Sequence, residues 1–263
     1  MPPKKSVNIF DLEGNPVGKT DLPAVFSTPL RPDVVKRAVL SIQSKRLQRQ
    51  GRDPMAGKRT SAESRGTGMA IARVPRIKGG SGTAAFAPGT VGGRQAHPPV
   101  VEKGIVKKIS KKEKQLGLFS AIAATASKDI VFSRGHAIDD VLQIPLVVIN
   151  TIESLTKTKD VEEALVHLGV LSDIYRVRES RNIRAGKGKL RGRKNKQAIG
   201  PLIVVTESKG LAEAASNIPG VDVVALKNLN AEVLAPGAHQ GRLTLWTSGA
   251  LEQLDKLYIK GEI

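Results

Sequence analysis

The chain lacks cysteine and has few aromatic side chains, and each absence excludes a class of protein. No cysteine occurs among the 263 residues, so disulfide frameworks and thiolate metal sites are excluded. Aromatic residues make up 3% of the chain, too few for a module that reads single-stranded RNA by stacking bases on an aromatic platform. The longest apolar runs, at residues 145–149 and 201–205, are far shorter than the ~20 residues that span a bilayer. Residues 1–6 contain no apolar signal region, and we expect a cytoplasmic protein with no membrane partner.

Acidic residues are also scarce, and the basic excess lies in two segments. The chain has 42 Lys and Arg against 24 Asp and Glu, a net charge of +18. Residues 45–114 carry 17 basic and four acidic side chains, and residues 176–196 carry ten and one, which gives net charges of +13 and +9. The remaining chain is therefore at −4. A near-neutral globule with two basic segments is typical of a protein that binds nucleic acid.

The central part of the first basic segment, residues 51–104, shows no repeating apolar pattern. These residues include 11 of the 26 glycines and five prolines, with neither helical nor alternating periodicity. A loop of this length inside a compact domain is either functional or disordered. Two interpretations follow: a solvated linker, or an arm that becomes ordered against RNA. We divide the chain into a globular domain (1–50 and 105–263) and an extended arm rich in Gly, Pro and Arg (51–104).

The remaining sequence predicts an α/β fold. Helices are expected from apolar spacing at 31–50, 111–128, 161–168, 171–182, 211–216 and 251–258. Strands are expected at 7–10, followed by a turn at 13–16, and at 146–149, 202–205, 221–225 and 243–246. This alternation predicts a mostly parallel sheet covered by helices on both faces, with the arm inserted between the first two helices. Those helices should hold the two ends of the arm close together.

No catalytic, cofactor or metal site can be assembled from the sequence. Residues 14–20 (GNPVGKT) resemble a phosphate-binding loop, but three residues separate the glycines where that loop requires four, and Pro23 follows in place of a helix. The four histidines, at 97, 136, 167 and 239, show no metal-ligand spacing. We expect His136 and His167 to be surface or packing residues. The chain is expected not to be an enzyme and to need no cofactor.

The second basic segment alternates glycine with cations. Residues 186–194 (GKGKLRGRK) are typical of a flexible loop that brings several cations to phosphates, and a solvated surface run is the alternative. With so few aromatics, recognition rests on Arg and Lys contacts to phosphate and on backbone amides of glycine-rich chain. That chemistry suits a large folded RNA.

Several motifs resemble the archaeal and eukaryotic form of ribosomal protein four of the large subunit. The motifs are residues 59–64 (RTSAES), 72–76 (ARVPR), 78–80 (KGG), 91–94 (VGGR), 96–99 (AHPP), 184–193 (RAGKGKLRGR), 217–221 (NIPGV), 234–243 (LAPGAHQGRL) and 245–247 (LWT). They follow the family's order across roughly residues 7–260. The lack of terminal extensions of the eukaryotic kind favours an archaeal source.

The resemblance implies a structural constituent of the large ribosomal subunit that contacts several rRNA domains and acts early in assembly. The family's arm enters the rRNA, and its tip lines the polypeptide exit tunnel beside the hairpin of a second ribosomal protein. The implied partners are large-subunit rRNA, neighbouring ribosomal proteins including that hairpin protein, and the nascent polypeptide. Two legs of about 27 residues at ~3.3 Å per residue reach on the order of 90 Å, enough to enter a large RNA.

Site residues follow from the basic segments and the matching motifs. The side chains expected to contact rRNA are Arg46, Arg49, Arg52, Lys58, Arg59, Arg65, Arg73, Arg76, Lys78, Arg94, His97, Arg184, Lys187, Lys189, Arg191, Arg193 and Lys194. The residues expected at the tunnel tip are Gly66, Thr67, Gly68, Met69, Ala70, Ile71 and Arg73. Arg73 and Arg76 are expected to hold the tip against RNA while the small residues leave the lumen open. The alternative is a tip packed between RNA helices away from the lumen.

Overall fold

The structure, a computed structural model, describes residues 6–80, 82–208 and 210–260, with side chains of the last helix described as far as Lys256. Residues 1–5, where no signal region is expected, lie outside the described residues. The strands are β1 (Ser6–Phe10), β2 (Pro16–Asp21), β3 (Leu146–Val148), β4 (Asn182–Ile183), β5 (Asn195–Lys196), β6 (Leu202–Val205), β7 (Asp222–Ala225) and β8 (Thr244–Thr247). The α-helices are α1 (Pro32–Ser44), α2 (Lys111–Thr125), α3 (Lys128–Ser133), α4 (Thr158–His167), α5 (Leu171–Glu179), α6 (Leu211–Ala215), α7 (Ala231–Leu234) and α8 (Ser248–Lys260).

The main sheet has six strands in the order β2-β1-β3-β8-β6-β7. Neighbouring strands from β1 to β7 run parallel, and only the edge strand β2 is antiparallel to its neighbour β1. The expected mixed α/β fold with a mostly parallel sheet is confirmed. Strand β2 was not expected, because its side chains are largely exposed and show no apolar alternation.

Buried side chains alternate between two hydrophobic clusters along the central strands. In β3, Val147 belongs to one cluster, and Leu146 and Val148 belong to the other. Because successive side chains of a strand point to opposite faces, the clusters lie on opposite faces of the sheet. Helices α1, α2, α7 and α8 contribute to the first cluster, and α3, α4, α5 and α6 to the second.

The helix expected at 31–50 ends at Ser44. Val34, Val35, Ala38 and Val39 are buried on its inner face. Beyond Ser44 the residues are exposed and mostly basic or polar. Because this stretch has no apolar face to pack against the core, further helical turns would add little stability.

Two buried charged residues complete the hydrogen bonding at opposite ends of the parallel strands. Arg242 is 1% exposed, and its guanidinium donates to the carbonyls of Gly200 (2.8 Å), Pro201 (3.3 Å), Gly220 (3.4 Å) and Val233 (3.1 Å). It also pairs with Asp222 at 2.5 Å. These partners include the residues that precede β6 and β7, so Arg242 ties their amino ends to that of β8.

Glu153 has at the carboxyl ends of the parallel strands the role that Arg242 has at their amino ends. Its Oε1 accepts from the Thr206 amide at 2.8 Å and from the Thr247 hydroxyl at 2.9 Å. The Glu207 amide donates to Oε2 at 3.5 Å. Glu153 therefore fixes the ends of β6 and β8, and its carboxylate is occupied by structural hydrogen bonds.

The chain divides into two units, residues Met1–Gln43 with Lys108–Ile263, and residues Ser44–Lys107. Both hydrophobic clusters consist of residues of the first unit. The described part of the second unit has turns and isolated bridges in place of helices and strands. Its two ends meet, because the Lys107 amide donates to Ser44 Oγ at 3.0 Å.

Arg242→Ala should strongly destabilise the first unit. The substitution leaves several carbonyls at the amino ends of the strands without their donor. A buried acceptor left without a donor costs about 1–3 kcal/mol, so we expect the loss of several to cost about 3 kcal/mol or more in total. Urea unfolding followed by circular dichroism measures the loss. Asp222→Asn is the matched control, because the Asp222 side chain is 59% exposed and such a pair contributes about 1 kcal/mol or less. Equal losses in the two variants would contradict a role for the carbonyl contacts.

Deletion of residues 60–95 should leave the first unit folded, since the clustered buried residues lie outside this stretch. The free energy of unfolding is expected to change by no more than about 0.5 kcal/mol, as for surface changes remote from a core. Thermal unfolding of the deletion variant and of the full chain should give the same cooperative transition. A broad, non-cooperative transition in the deletion variant would show that the removed residues contribute to the core.

Candidate nucleic-acid interface

The two legs of the first basic segment are joined at several levels. The Arg52 guanidinium donates to Gln95 Oε1 at 3.0 Å, and that of Arg49 reaches the Val101 carbonyl at 3.4 Å. Further along, a Cβ on Gly57 would lie 2.6 Å from the Gly93 carbonyl oxygen, and Gly57 has a φ of 75°. Only glycine fits both this close approach and this backbone conformation. The chain therefore folds back on itself through backbone contacts rather than an apolar core.

The expected tip residues lie in a closed loop. Glu63 and Arg76 exchange two backbone hydrogen bonds of 3.0 and 3.1 Å, and inside this pair the Ser64 hydroxyl donates to the Arg73 carbonyl at 2.9 Å. The loop turns through residues 66–70, where Gly66, Gly68 and Ala70 have positive φ. Every residue from 66 to 73 is exposed, including the apolar side chains of Met69 (56%) and Ile71 (39%).

Two acids neutralise part of the charge of this segment. Asp53 pairs with Arg59, whose hydrogen bond lowers the pKa of the Asp53 carboxyl below its ordinary value. Glu63 pairs with Lys78 at 2.5 Å. Among the described residues, the exposed side chains of Lys58, Arg65 and Arg73 form no ion pair. These three cations are available to an external anion.

Two of the expected rRNA-contacting arginines are partly engaged inside the segment. Arg76 donates from Nη1 to the Gly82 carbonyl at 2.8 Å, and Arg94 lies over the Phe86 ring with 6.0 Å between guanidinium carbon and ring centroid. Both are half-buried, whereas Arg46, Arg49, Arg52 and His97 are exposed. Arg76 and Arg94 therefore help to shape the segment. Neither role could be read from the sequence, because the partners are a backbone carbonyl and a ring in an irregular stretch.

The second basic segment is held by a short antiparallel ribbon of β4 and β5. Arg184 closes the loop that follows, since its amide donates to the Lys194 carbonyl at 2.8 Å and its Nε to the Arg193 carbonyl at 3.2 Å. The ribbon was not expected, because strands of two residues have no periodicity to detect. The exposed cations carried by this loop are Lys187, Lys189, Arg191, Arg193 and Lys194. The structure thus gathers the expected residues of this segment on one exposed loop.

The segment that resembles a phosphate-binding loop has a structural role here. Residues 14–20 form the turn and first part of β2, with no helix following at the position of a phosphate-binding loop. The described residues contain no group of three or more His, Asp and Glu side chains able to hold a metal ion. Among the helices that the structure describes, none is long and apolar enough to cross a membrane.

The sequence did not predict one buried polar cluster, which is formed by His136, Asp173 and Arg176. His136 Nδ1 lies 2.9 Å from Asp173 Oδ2, while Asp173 Oδ1 accepts from Arg176 Nε (2.8 Å) and the Ala137 amide (3.0 Å). Burial lowers the pKa of His136, although the hydrogen bond to Asp173 opposes this. His136 is thus a packing residue, as expected, but its charged partners lie about 40 positions away in the sequence, and no local pattern indicates them.

Together the fold and the charge distribution define a basic α/β protein that concentrates exposed cations on two irregular segments outside the sheet, as in proteins that bind a polyanion. Comparison with known proteins identifies the family. Residues 20–257 match the model of the Ribosomal protein L4/L1 family. The chain is 50% identical over 254 residues to the large ribosomal subunit protein uL4 of Methanosphaera stadtmanae, covering 97% of this chain and 98% of that protein. It is 51% identical over 254 residues to the protein of the same name from Saccharolobus islandicus, covering 96% and 95%.

The chain therefore belongs to the ribosomal protein L4/L1 family, as its motifs indicated, and the two relatives named above are archaeal. It is a structural ribosomal protein of the large subunit and not an enzyme.

Proposed function

We propose that this chain binds large-subunit rRNA through its two basic segments and helps to organise several rRNA domains early in subunit assembly. The observation that carries the proposal is a set of exposed cations that form no ion pair among the described residues. They are Lys58, Arg65 and Arg73 in the first basic segment and Lys187, Lys189, Arg191, Arg193 and Lys194 on the loop after β4. Each cation that meets a phosphate releases condensed counterions, so such sets bind RNA strongly.

The proposed partners follow from this role. They are large-subunit rRNA, neighbouring ribosomal proteins including the protein whose hairpin forms the other side of the tunnel constriction, and the nascent polypeptide. The place of action is the cytoplasmic ribosome. The segment 51–104 acts as the arm that penetrates the rRNA, and its glycine-rich legs offer backbone amides to closely spaced phosphates.

The tip of the arm is proposed to line the polypeptide exit tunnel. Residues 66–71 support this, because they form an exposed loop with small or flexible side chains and without acids or aromatics. A tunnel wall of this kind makes few strong contacts with a passing peptide. Arg73 follows the loop with an exposed guanidinium that can hold the tip to a phosphate, while Arg76 stabilises the loop base.

Replacing Lys187, Lys189, Arg191 and Arg193 together with Ala should weaken rRNA binding and flatten its salt dependence. Removing one phosphate contact lowers the slope of log K against log salt by roughly 0.7–0.9, so removing four lowers it by about 3. Filter binding of an rRNA transcript across salt concentrations measures the slope.

The matched control for this variant replaces four exposed lysines outside both basic segments, Lys19, Lys128, Lys157 and Lys227, with Ala. It removes the same charge from the same unit and should leave the slope nearly unchanged. Equal slopes for the two variants would mean that the loop after β4 does not contact phosphate.

A photoreactive amino acid at Met69 should capture nascent peptide in translating ribosomes, because the Met69 side chain is exposed on the tip loop. The same group at Val91 is the control. Val91 is 99% exposed and apolar, but it lies outside the loop closed by Ser64 and Arg73. Val91 is expected to capture rRNA alone. If Met69 also captures rRNA alone, the tip assignment of residues 66–71 is wrong while rRNA binding stands.

A further inference from the structure

A cavity of about 670 Å³ lies in the first unit and is formed from residues outside the loop after β4. Its walls include Ser133 and Arg134 at the end of α3, Arg176 on α5, and His239 and Gln240. His239 and Gln240 belong to the motif at 234–243, which lies outside both basic segments. The volume falls in the range of about 300–1,000 Å³ typical of sites for small ligands.

The charge around this cavity is positive and only partly neutralised. Among its described lining residues are two arginines and two histidines, and no acid. Beneath the wall, Asp173 accepts hydrogen bonds from Arg176 and from the His136 ring. Asp173 therefore compensates one guanidinium, and Arg134 is left without an acidic partner in the described part of the chain.

Arg134 is the least satisfied group in the wall. Its Nη2 donates to the Pro236 carbonyl at 3.0 Å, but Nη1 is buried and has no hydrogen-bond partner among the described residues. Burial, and then the neighbouring charges of Arg242 and Arg176, lower the pKa of Arg134 to about 10. A half-buried guanidinium repelled by two others is stabilised by an anion that accepts from it.

We propose that this cavity binds a phosphate group, carried either by the RNA backbone or by a mononucleotide. Arg134 supplies the uncompensated positive charge, and the exposed side chain of His239 also lines the cavity. Gln240 has a buried Oε1 with no donor among the described residues, which suits a ribose hydroxyl. The RNA source rests on the rRNA binding proposed above, whereas the mononucleotide source does not.

Ser133→Glu tests the proposal without removing a guanidinium. The Ser133 side chain is exposed, and its hydroxyl donates to the carbonyl three residues earlier, at 2.9 Å. A carboxylate in the cavity wall repels a bound phosphate and should weaken phosphate binding by about tenfold or more. Ser216→Glu is the matched control, since Ser216 is exposed at the end of α6, makes the same kind of bond at 2.7 Å and does not line the cavity.

The full chain is titrated with inorganic phosphate and with adenosine 5′-monophosphate, and binding is followed by the ring resonances of His239 at fixed pH. His167, outside the cavity, serves as the internal reference. Binding that Ser133→Glu weakens and Ser216→Glu leaves unchanged supports the proposal. Arg134→Gln should weaken binding as well, and thermal unfolding of each variant checks that it is folded.

An rRNA transcript then separates the two sources. If the RNA backbone occupies the cavity, Ser133→Glu lowers the salt slope of rRNA binding by roughly 0.7–0.9, the value for one phosphate, relative to Ser216→Glu. An unchanged slope, with the mononucleotide bound more tightly than phosphate, assigns the cavity to a mononucleotide. No binding of either small probe together with an unchanged slope overturns the proposal. Failure of the wild-type chain to bind rRNA at all would instead reject the proposed function, and phosphate binding would stand independently.

Discussion

The arrangement of the first unit depends on the hydrogen bonds that the buried Arg242 guanidinium donates. The amino ends of parallel strands leave carbonyls of the preceding loops inside the protein, where unpaired groups are costly. A single guanidinium donates to three of them, at Gly200, Pro201 and Gly220, and also to the Val233 carbonyl of α7, which an amine could not do with the same geometry. Burial lowers the pKa of Arg242, and its pairing with Asp222 offsets part of this effect. The strand ends, and with them the segment 234–241, are thereby held in place.

The buried acids of the first unit form hydrogen bonds inside that unit, which leaves the exposed cations of the loop after β4 available to an external partner. The buried acids Glu153 and Asp173 are both occupied by hydrogen bonds within the unit. Within the described ranges, the exposed cations of the loop after β4 have no comparable acids beside them. Their mutual repulsion costs little while water and salt screen it, and it is relieved when phosphates bind. A stable sheet and an uncompensated basic loop are therefore compatible in one chain.

The sequence predicted elements whose stability comes from a buried apolar face, and missed those that depend on distant hydrogen bonds. The strand at 202–205 was predicted with its observed bounds, because its four consecutive apolar residues are all buried. The helix predicted to reach residue 50 ends at Ser44, where packing ends and propensity alone is too weak to continue it. Strands β2, β4 and β5, the Arg242 contacts and the His136–Asp173 pair have no local periodicity. Of the interface, the location of the cations was predictable, but the use of Arg76 and Arg94 inside the segment was not.

The two basic segments present their charge in different ways. In residues 44–107, Asp53 and Glu63 pair with Arg59 and Lys78, and backbone bonds close the loop at residues 63–76. These ion pairs and backbone bonds therefore stabilise the shape of the segment. On the loop after β4 the cations project from a short ribbon without such pairs among the described residues, and attraction there depends on phosphate density. The proposed RNA partner therefore has to match the first segment in shape and the loop after β4 in charge density, and this joint requirement favours one large folded RNA over polyanions in general.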